Sequence, residues 1–152
     1  MGETRSIAEV LEMAIAREIQ AAEFYSEVAG RMSDPARRAV FERLADEELR
    51  HKAKLELEVM KEGFVAKTVG KLVDVGEPDY ATDFEIGPDI EYKRIVDMAI
   101  RKERRSFRFY THLAGIMLEE SVHDVLLGLA EEEARHLVQF ETEYGRLVAG
   151  ER

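Results

Sequence analysis

The sequence predicts an all-α protein, a four-helix bundle made of two antiparallel helix hairpins joined by one long crossover. Three observations carry that prediction. Four stretches hold apolar residues at alternating spacings of three and four, the period of a helix with one buried face. The composition, 45% hydrophobic and 36% charged with only 3 prolines and 10 glycines in 152 residues, favours long helices over sheet or disorder. The second half of the chain also repeats the first. Ala14-Ile15, Glu18, Phe24-Tyr25, Ala29-Gly30, Met32, Leu44-Ala45, Glu48, His51 and Glu56 all recur after one fixed step of 85 residues (103 − 18), ending at Glu141. About 18 of the 48 positions from Met13 to Met60 are identical to their partners, too many for two unrelated helices, so the chain is an internal duplication.

The elements follow in order. Ser6 to about Met32 carries Ile7, Leu11, Ala14, Ile15, Ala22, Tyr25 and Ala29 on one face, with Ser6 as N-cap and Glu9 as its capping-box partner. Ser33-Asp34-Pro35 breaks that helix, Asp34 being able to cap the next one and Pro35 suiting its first turn. The second helix runs to about Glu62, where Gly63 ends it, so the first hairpin covers about residues 6–62. Residues 63–88 are punctuated by Gly63, Gly70, Gly76, Pro78, Gly87 and Pro88 and read as a connector, with room for a short strand or turn. The second hairpin covers about residues 89–148, its two helices separated at Glu119-Glu120-Ser121. A helix of about 27 residues is roughly 40 Å long, and about 25 connecting residues span that easily. The size is that of one domain, residues 1–152.

Composition also narrows the function. A net charge of −10 argues against nucleic acid or an anionic membrane as partner and suits a protein that attracts cations. With 0 cysteines there is no disulfide, thiolate zinc site or iron–sulfur cluster, so chemistry must use carboxylate, imidazole or phenol. No apolar run has signal-peptide or membrane-spanning length, and a cytoplasmic location is the expectation.

Two glutamate-plus-ExxH sets stand out. In the second helix the apolar seam reads Val40, Leu44, Glu48, His51, Leu55, Val59, and in the fourth Val125, Leu129, Glu133, His136, Phe140, Leu147. Glu18 and Glu103 occupy the corresponding inward positions of the first and third helices. Four carboxylates therefore face a core, and leaving them uncompensated would cost several kcal/mol each in a domain stable by about 5–15 kcal/mol. Two divalent ions neutralise four carboxylates and two neutral imidazoles. Residues three apart lie on adjacent turns, so Glu48 with His51, and Glu133 with His136, can each hold a metal while the glutamate bridges to the other. Glu18 and Glu103 are then terminal ligands. Oxygen and imidazole donors suit iron first and manganese second. Glu47 and Glu132 fall off the seam, facing outward or hydrogen-bonding behind the ligands. Glu56, Glu58, Glu141 and Glu143 read as a solvated face, and His112 and His123 as surface or capping residues. Tyr25 and Tyr110 lie two turns beyond Glu18 and Glu103. Each either hydrogen-bonds a ligand carboxylate, as a potential electron or proton donor, or simply packs the core.

These residues make the chain resemble a ferritin-like di-iron carboxylate protein of the rubrerythrin group, across both hairpins. The resemblance implies a ligand set of Glu18, Glu48, His51, Glu103, Glu133 and His136, accompanied by Tyr25 and Tyr110. It implies reduction of hydrogen peroxide or dioxygen, with iron handling as a ferroxidase the alternative. Two departures matter. Rubrerythrins usually append a four-cysteine rubredoxin domain that feeds in electrons, so this chain would need an external electron donor. They also tend to carry a further glutamate one turn after the third-helix ligand, where this chain has Ser106. Leu49 stands where a bacterioferritin would place its haem methionine, so no haem is expected. Apolar connector residues, among them Phe64, Val65, Val69, Leu72, Val73, Tyr80 and Phe84, point to burial over the bundle or against a second subunit, and a homodimer is the expected assembly.

Overall fold

A computed structural model describes residues 4–65, 72–74, 90–117 and 119–150. It contains β1 (Thr4–Ser6), α1 (Ile7–Arg31), α2 (Pro35–Val65), β2 (Leu72–Asp74), α3 (Tyr92–Ile116) and α4 (Glu120–Val148). The chain forms two compact units, Met1–Pro78 and Asp79–Arg152, each containing one helical hairpin.

In the first unit Ser6 caps α1 as its sequence requires. Its hydroxyl accepts from the Glu9 backbone N–H, and the Glu9 carboxylate accepts from the Ser6 N–H, closing the capping box. Asp34 accepts from the Arg37 N–H at 3.1 Å just ahead of Pro35, the first residue of α2. Between them the chain turns tightly, and Arg38 donates from Nε to the Ala29 carbonyl at 3.1 Å, satisfying one of the carbonyls that the end of α1 leaves open. Packing of α1 on α2 buries Val10, Leu11, Ala14, Tyr25, Val28, Phe41, Leu44 and Leu55 almost completely. Tyr25 stacks on Phe41 with ring centroids 6.1 Å apart and meets Phe24 edge-on at 5.2 Å. Such ring pairs add about 0.5–1.5 kcal/mol each to plain burial.

The second unit repeats the design. α3 ends on Met117 in extended backbone, as α1 ends on Met32. Glu119 caps α4 by accepting from the Ser121 and Val122 N–H groups. His123 takes the place of Arg38, its Nδ1 lying 2.6 Å from the Ala114 carbonyl, so it is a capping histidine, while His112 is exposed. Phe109 and Tyr110 meet edge-on at 5.2 Å, the distance found for Phe24 and Tyr25. α4 closes on Gly150, whose φ of +81° is the left-handed conformation that lets its N–H turn back to the Leu147 carbonyl.

The structure departs from the sequence reading at Gly63 and Glu58, and it puts a short strand in the connector, where the sequence left room for one. α2 passes through Gly63 and ends at Val65. A single helical glycine costs about 1 kcal/mol relative to alanine, too little to stop a long helix. Leu72–Asp74 forms a short strand antiparallel to Thr4–Ser6, with Ser6 opposite Leu72 and Thr4 opposite Asp74. Apart from residues 63–65 and 72–74, the connector at 63–88 lies outside the described residues, and so does the expected burial of its apolar side chains. Finally, Glu58 is buried, at 2% exposure, whereas Glu56 and Glu141 are exposed as expected and Glu143 is half-buried. The buried row of α2 runs Leu44, Glu48, His51, Leu55, Glu58, a spacing near 3.5 that shifts the seam off Val59. Lys61 meets the Glu58 carboxylate at 3.1 Å.

Candidate metal centre

Each unit carries one ligand triplet. In the first, Glu18 comes from the middle of α1, and Glu48 and His51 from adjacent turns of α2. All three are 1–2% exposed. His51 Nδ1 lies 3.5 Å from both Glu18 Oε2 and Glu48 Oε1, and the three residues offer ligand atoms within 4.8 Å of one another. In the second unit Glu103 comes from α3, and Glu133 and His136 from α4, with exposures of 1%, 0% and 7%. His136 Nδ1 lies 3.7 Å from Glu103 Oε2, and again one atom from each residue falls within 4.8 Å of the others. These spacings leave room for an ion between the donors. The sequence-predicted ligands are thus brought together three and three.

The local reason is helix geometry. Glu48 and His51, one turn apart, project from the same face, and that face is the one α2 turns toward α1. The tight turn after Arg31 then fixes the level at which Glu18 meets them. Such carboxylates need opposite charge, hydrogen bonds or a bound proton to compensate their burial, and a pair of divalent ions compensates all four at once. Hard carboxylate oxygens with imidazole nitrogen, in a chain without thiolates, are a donor set suited to iron or manganese.

Tyr25 and Tyr110 are 0% and 1% exposed, on the same helices as Glu18 and Glu103 and two turns further along. The aromatic contacts of Tyr25 lie with Phe24 and Phe41. Glu47 and Glu132 are half-buried at the edge of the seam. Ser106, one turn beyond Glu103, is buried, where the first unit has the buried Ala21.

Sequence reasoning missed two residues. Arg17 and Lys102, immediately before Glu18 and Glu103, are 8% and 4% exposed. Cations are seldom buried so fully unless an anion accompanies them. The signal was present, because 17 and 102 are also 85 apart (102 − 17) and both are basic. A groove of about 350 Å³ opens at the turn end of the first hairpin, between Ser26, Gly30, Arg38, Glu42 and Asp46. Ala29 and Ala45 complete its lining, which includes none of the ligand residues.

A family model described as Rubrerythrin matches residues 9–144. No curated protein matches the sequence. Among solved structures, a hypothetical protein from Pyrococcus furiosus is 28% identical with a TM-score of 0.73, the match covering 97% of this chain and 93% of that one. A Thermotoga maritima protein proposed to be a ferritin-like diiron-carboxylate protein is 21% identical at a TM-score of 0.73, covering 95% and 97%. A dodecameric thioferritin, the bacterioferritin-related protein of Bacteroides fragilis, is 17% identical at 0.68, covering 94% and 88%. The fold is that of the ferritin-like four-helix bundles, two antiparallel hairpins related by internal duplication. No described helix is long and apolar enough to cross a membrane.

Proposed function

The chain belongs to the rubrerythrin family, and from that premise we propose that it is a di-iron carboxylate oxidoreductase that reduces hydrogen peroxide or dioxygen. The two triplets act together in this reading, within a single domain. Glu48 with His51 and Glu133 with His136 hold the ions, Glu18 and Glu103 complete the set, and manganese is the second choice of metal. The observation that carries it is the recurrence, in each hairpin, of two buried glutamates around a buried histidine at 3.5–3.7 Å.

The chemistry supplied by two bound iron ions is two-electron reduction with Lewis-acid assistance: hydrogen peroxide, two electrons and two protons give two waters. The electrons come from an external donor, because the chain has no cysteine to hold a rubredoxin-type iron. The protein's own residues exclude water, neutralise charge and deliver protons. In this reading Tyr25 and Tyr110, buried two turns along the same helices from Glu18 and Glu103, pass a proton or an electron. Ser106 cannot ligate as a carboxylate does, so the third helix offers one glutamate ligand rather than two. The protein works in the cytoplasm as a homodimer.

The alternative is a ferroxidase in iron storage or trafficking. It is favoured by the dodecameric state of the Bacteroides fragilis relative, an assembly of the size that storage requires. Anaerobic Fe(II) titration of the metal-free protein tests the shared premise. About two tightly bound ions per chain are expected from a six-residue ligand set, and none would remove the redox function. Peroxide consumption by the reduced, loaded protein then separates the two roles, since a storage protein would instead retain many more oxidised irons per chain than its ligands can hold.

A further inference from the structure

α1 and α3 are copies of one repeat, yet they carry opposite charge. α3 holds seven of the chain's 22 Lys and Arg residues against two acidic ones, whereas α1 has five acidic residues and two basic. Arg94, Arg101, Arg105, Arg108 and His112 follow at spacings of seven, four, three and four, which sets them along one stripe of the helix. All are exposed except Arg105, which is half-buried. At the same repeat positions α1 has Glu9, Ala16, Gln20, Glu23 and Glu27. The buried faces show no such reversal, since Glu18 matches Glu103 and Arg17 matches Lys102. Surface charge of either sign has little effect on stability, so a consistent change along one outer face reflects what that face meets. Arg101 pairs with Asp97 at 3.0 Å and Arg104 with Glu141 at 3.3 Å. Among the described residues no carboxylate pairs with Arg94 or Arg108.

We propose that this stripe of α3 is the docking surface for the external electron donor, and that the donor is a small electron-carrying protein of net negative charge. The inference rests on the peroxide-reducing reading above and names the partner that reading needs. Placement favours it. Arg101 and Arg105 stand two residues to either side of Glu103, and α3 turns Glu103 inward while it turns the stripe outward. A carrier seated there is separated from that ligand by little more than the width of one helix, about 10–12 Å, and electron transfer falls steeply with distance. Charge favours it too. The chain's net −10 repels an acidic carrier from most of its surface, and charges more than about 8 Å away are screened at physiological salt. A local positive stripe therefore selects where such a carrier lands, as in transient redox encounters, which use small, electrostatically steered interfaces. Nucleic acid fits less well, because the Asp97 and Glu141 carboxylates lie among the arginines and would repel phosphates. In each turnover two one-electron carriers are oxidised, and the peroxide takes their two electrons and two protons to give two waters.

Stopped-flow oxidation of a reduced rubredoxin of net negative charge, by the iron-loaded full chain with peroxide, tests the assignment. Protein reduced beforehand with dithionite and then mixed with peroxide needs no carrier and reads the metal centre alone. Arg94→Glu with Arg108→Glu places on α3 the glutamates that α1 carries at those positions, so helical circular dichroism should be unchanged. At low salt the double variant should lose at least about tenfold in second-order rate with the rubredoxin, while the pre-reduced protein consumes peroxide as the wild type does. Raising the salt should slow the wild type and leave the variant unaffected. Equal rubredoxin rates in the two proteins, with peroxide consumption by the pre-reduced protein intact, overturn the docking surface and leave the peroxide reading standing. No consumption even by the pre-reduced protein overturns both. If the rubredoxin rates are equal but the substitutions abolish binding of double-stranded DNA, the stripe is a nucleic-acid surface instead. Should the double variant fail to fold, Arg94→Gln with Arg108→Gln makes the same comparison.

Discussion

In the first hairpin α1 runs from Ile7 to Arg31, and in the second α3 runs from Tyr92 to Ile116, so both ends of the helix recur after 85 residues. The starts of α2 and α4, at Pro35 and Glu120, do the same, and so does the edge-on geometry of Phe24–Tyr25 and Phe109–Tyr110. The chemistry at equivalent points is freer. Arg38 and His123 reach the same carbonyl with different groups, Asp34 and Glu119 cap with side chains of different length, and a buried Leu126 stands where the first hairpin has Phe41. What is held constant is both limits of the first helix, the start of the second and the ligand triplet; what varies is any group that another donor of similar reach can replace. The lesson is that a duplicated hairpin preserves the level at which its carboxylates meet, because a shift of one residue would turn Glu18 or Glu48 away from the histidine.

The ligand triplets offer the sharpest way to break that equivalence. Glu48→Ala and Glu133→Ala should each weaken Fe(II) binding at least about tenfold, or about 1.4 kcal/mol, and to similar extents in anaerobic titration. If one variant still binds both ions at wild-type affinity, the halves are not equivalent and the lost residue is no ligand. Core truncation comes next. Leu44→Ala and Leu129→Ala remove fully buried partners at the same repeat position, and each should cost about 2–5 kcal/mol in urea denaturation of metal-free protein. A value near zero for one of them would mean that its hairpin does not pack as described. The smallest effects belong to the caps. Removing Glu119, which accepts from two backbone N–H groups, should destabilise more than removing Asp34, which accepts from one. Both Glu119→Ala and Asp34→Ala should fall within about 0.5–2 kcal/mol, and a reversed order in thermal melts would show that the number of capping bonds does not rank the two.

The regularity of the repeat explains why so much was legible. Identical residues at one constant offset placed Glu18, Glu48 and His51 and their partners on buried faces without any coordinates. Ser6-Ile7-Ala8-Glu9 announced its capping box because that contact is local. Glu58 escaped because the seam expected at 48, 51, 55 and 59 and the one observed at 48, 51, 55 and 58 differ only in their last step, and only packing selects between them. Arg17 and Lys102 escaped notice because a basic residue beside a glutamate on a helix normally reaches water.

By itself the sequence determined the helical class, the duplication, the four helices and the six candidate ligands, since helical period, capping and repeat spacing are all short-range or arithmetical. Only the tertiary structure decided that Ser6 also ends a strand paired with Leu72, and that Glu58 and the two cations are buried. Each of these depends on which distant segment covers a side chain, and burial is a property of the neighbours rather than of the residue.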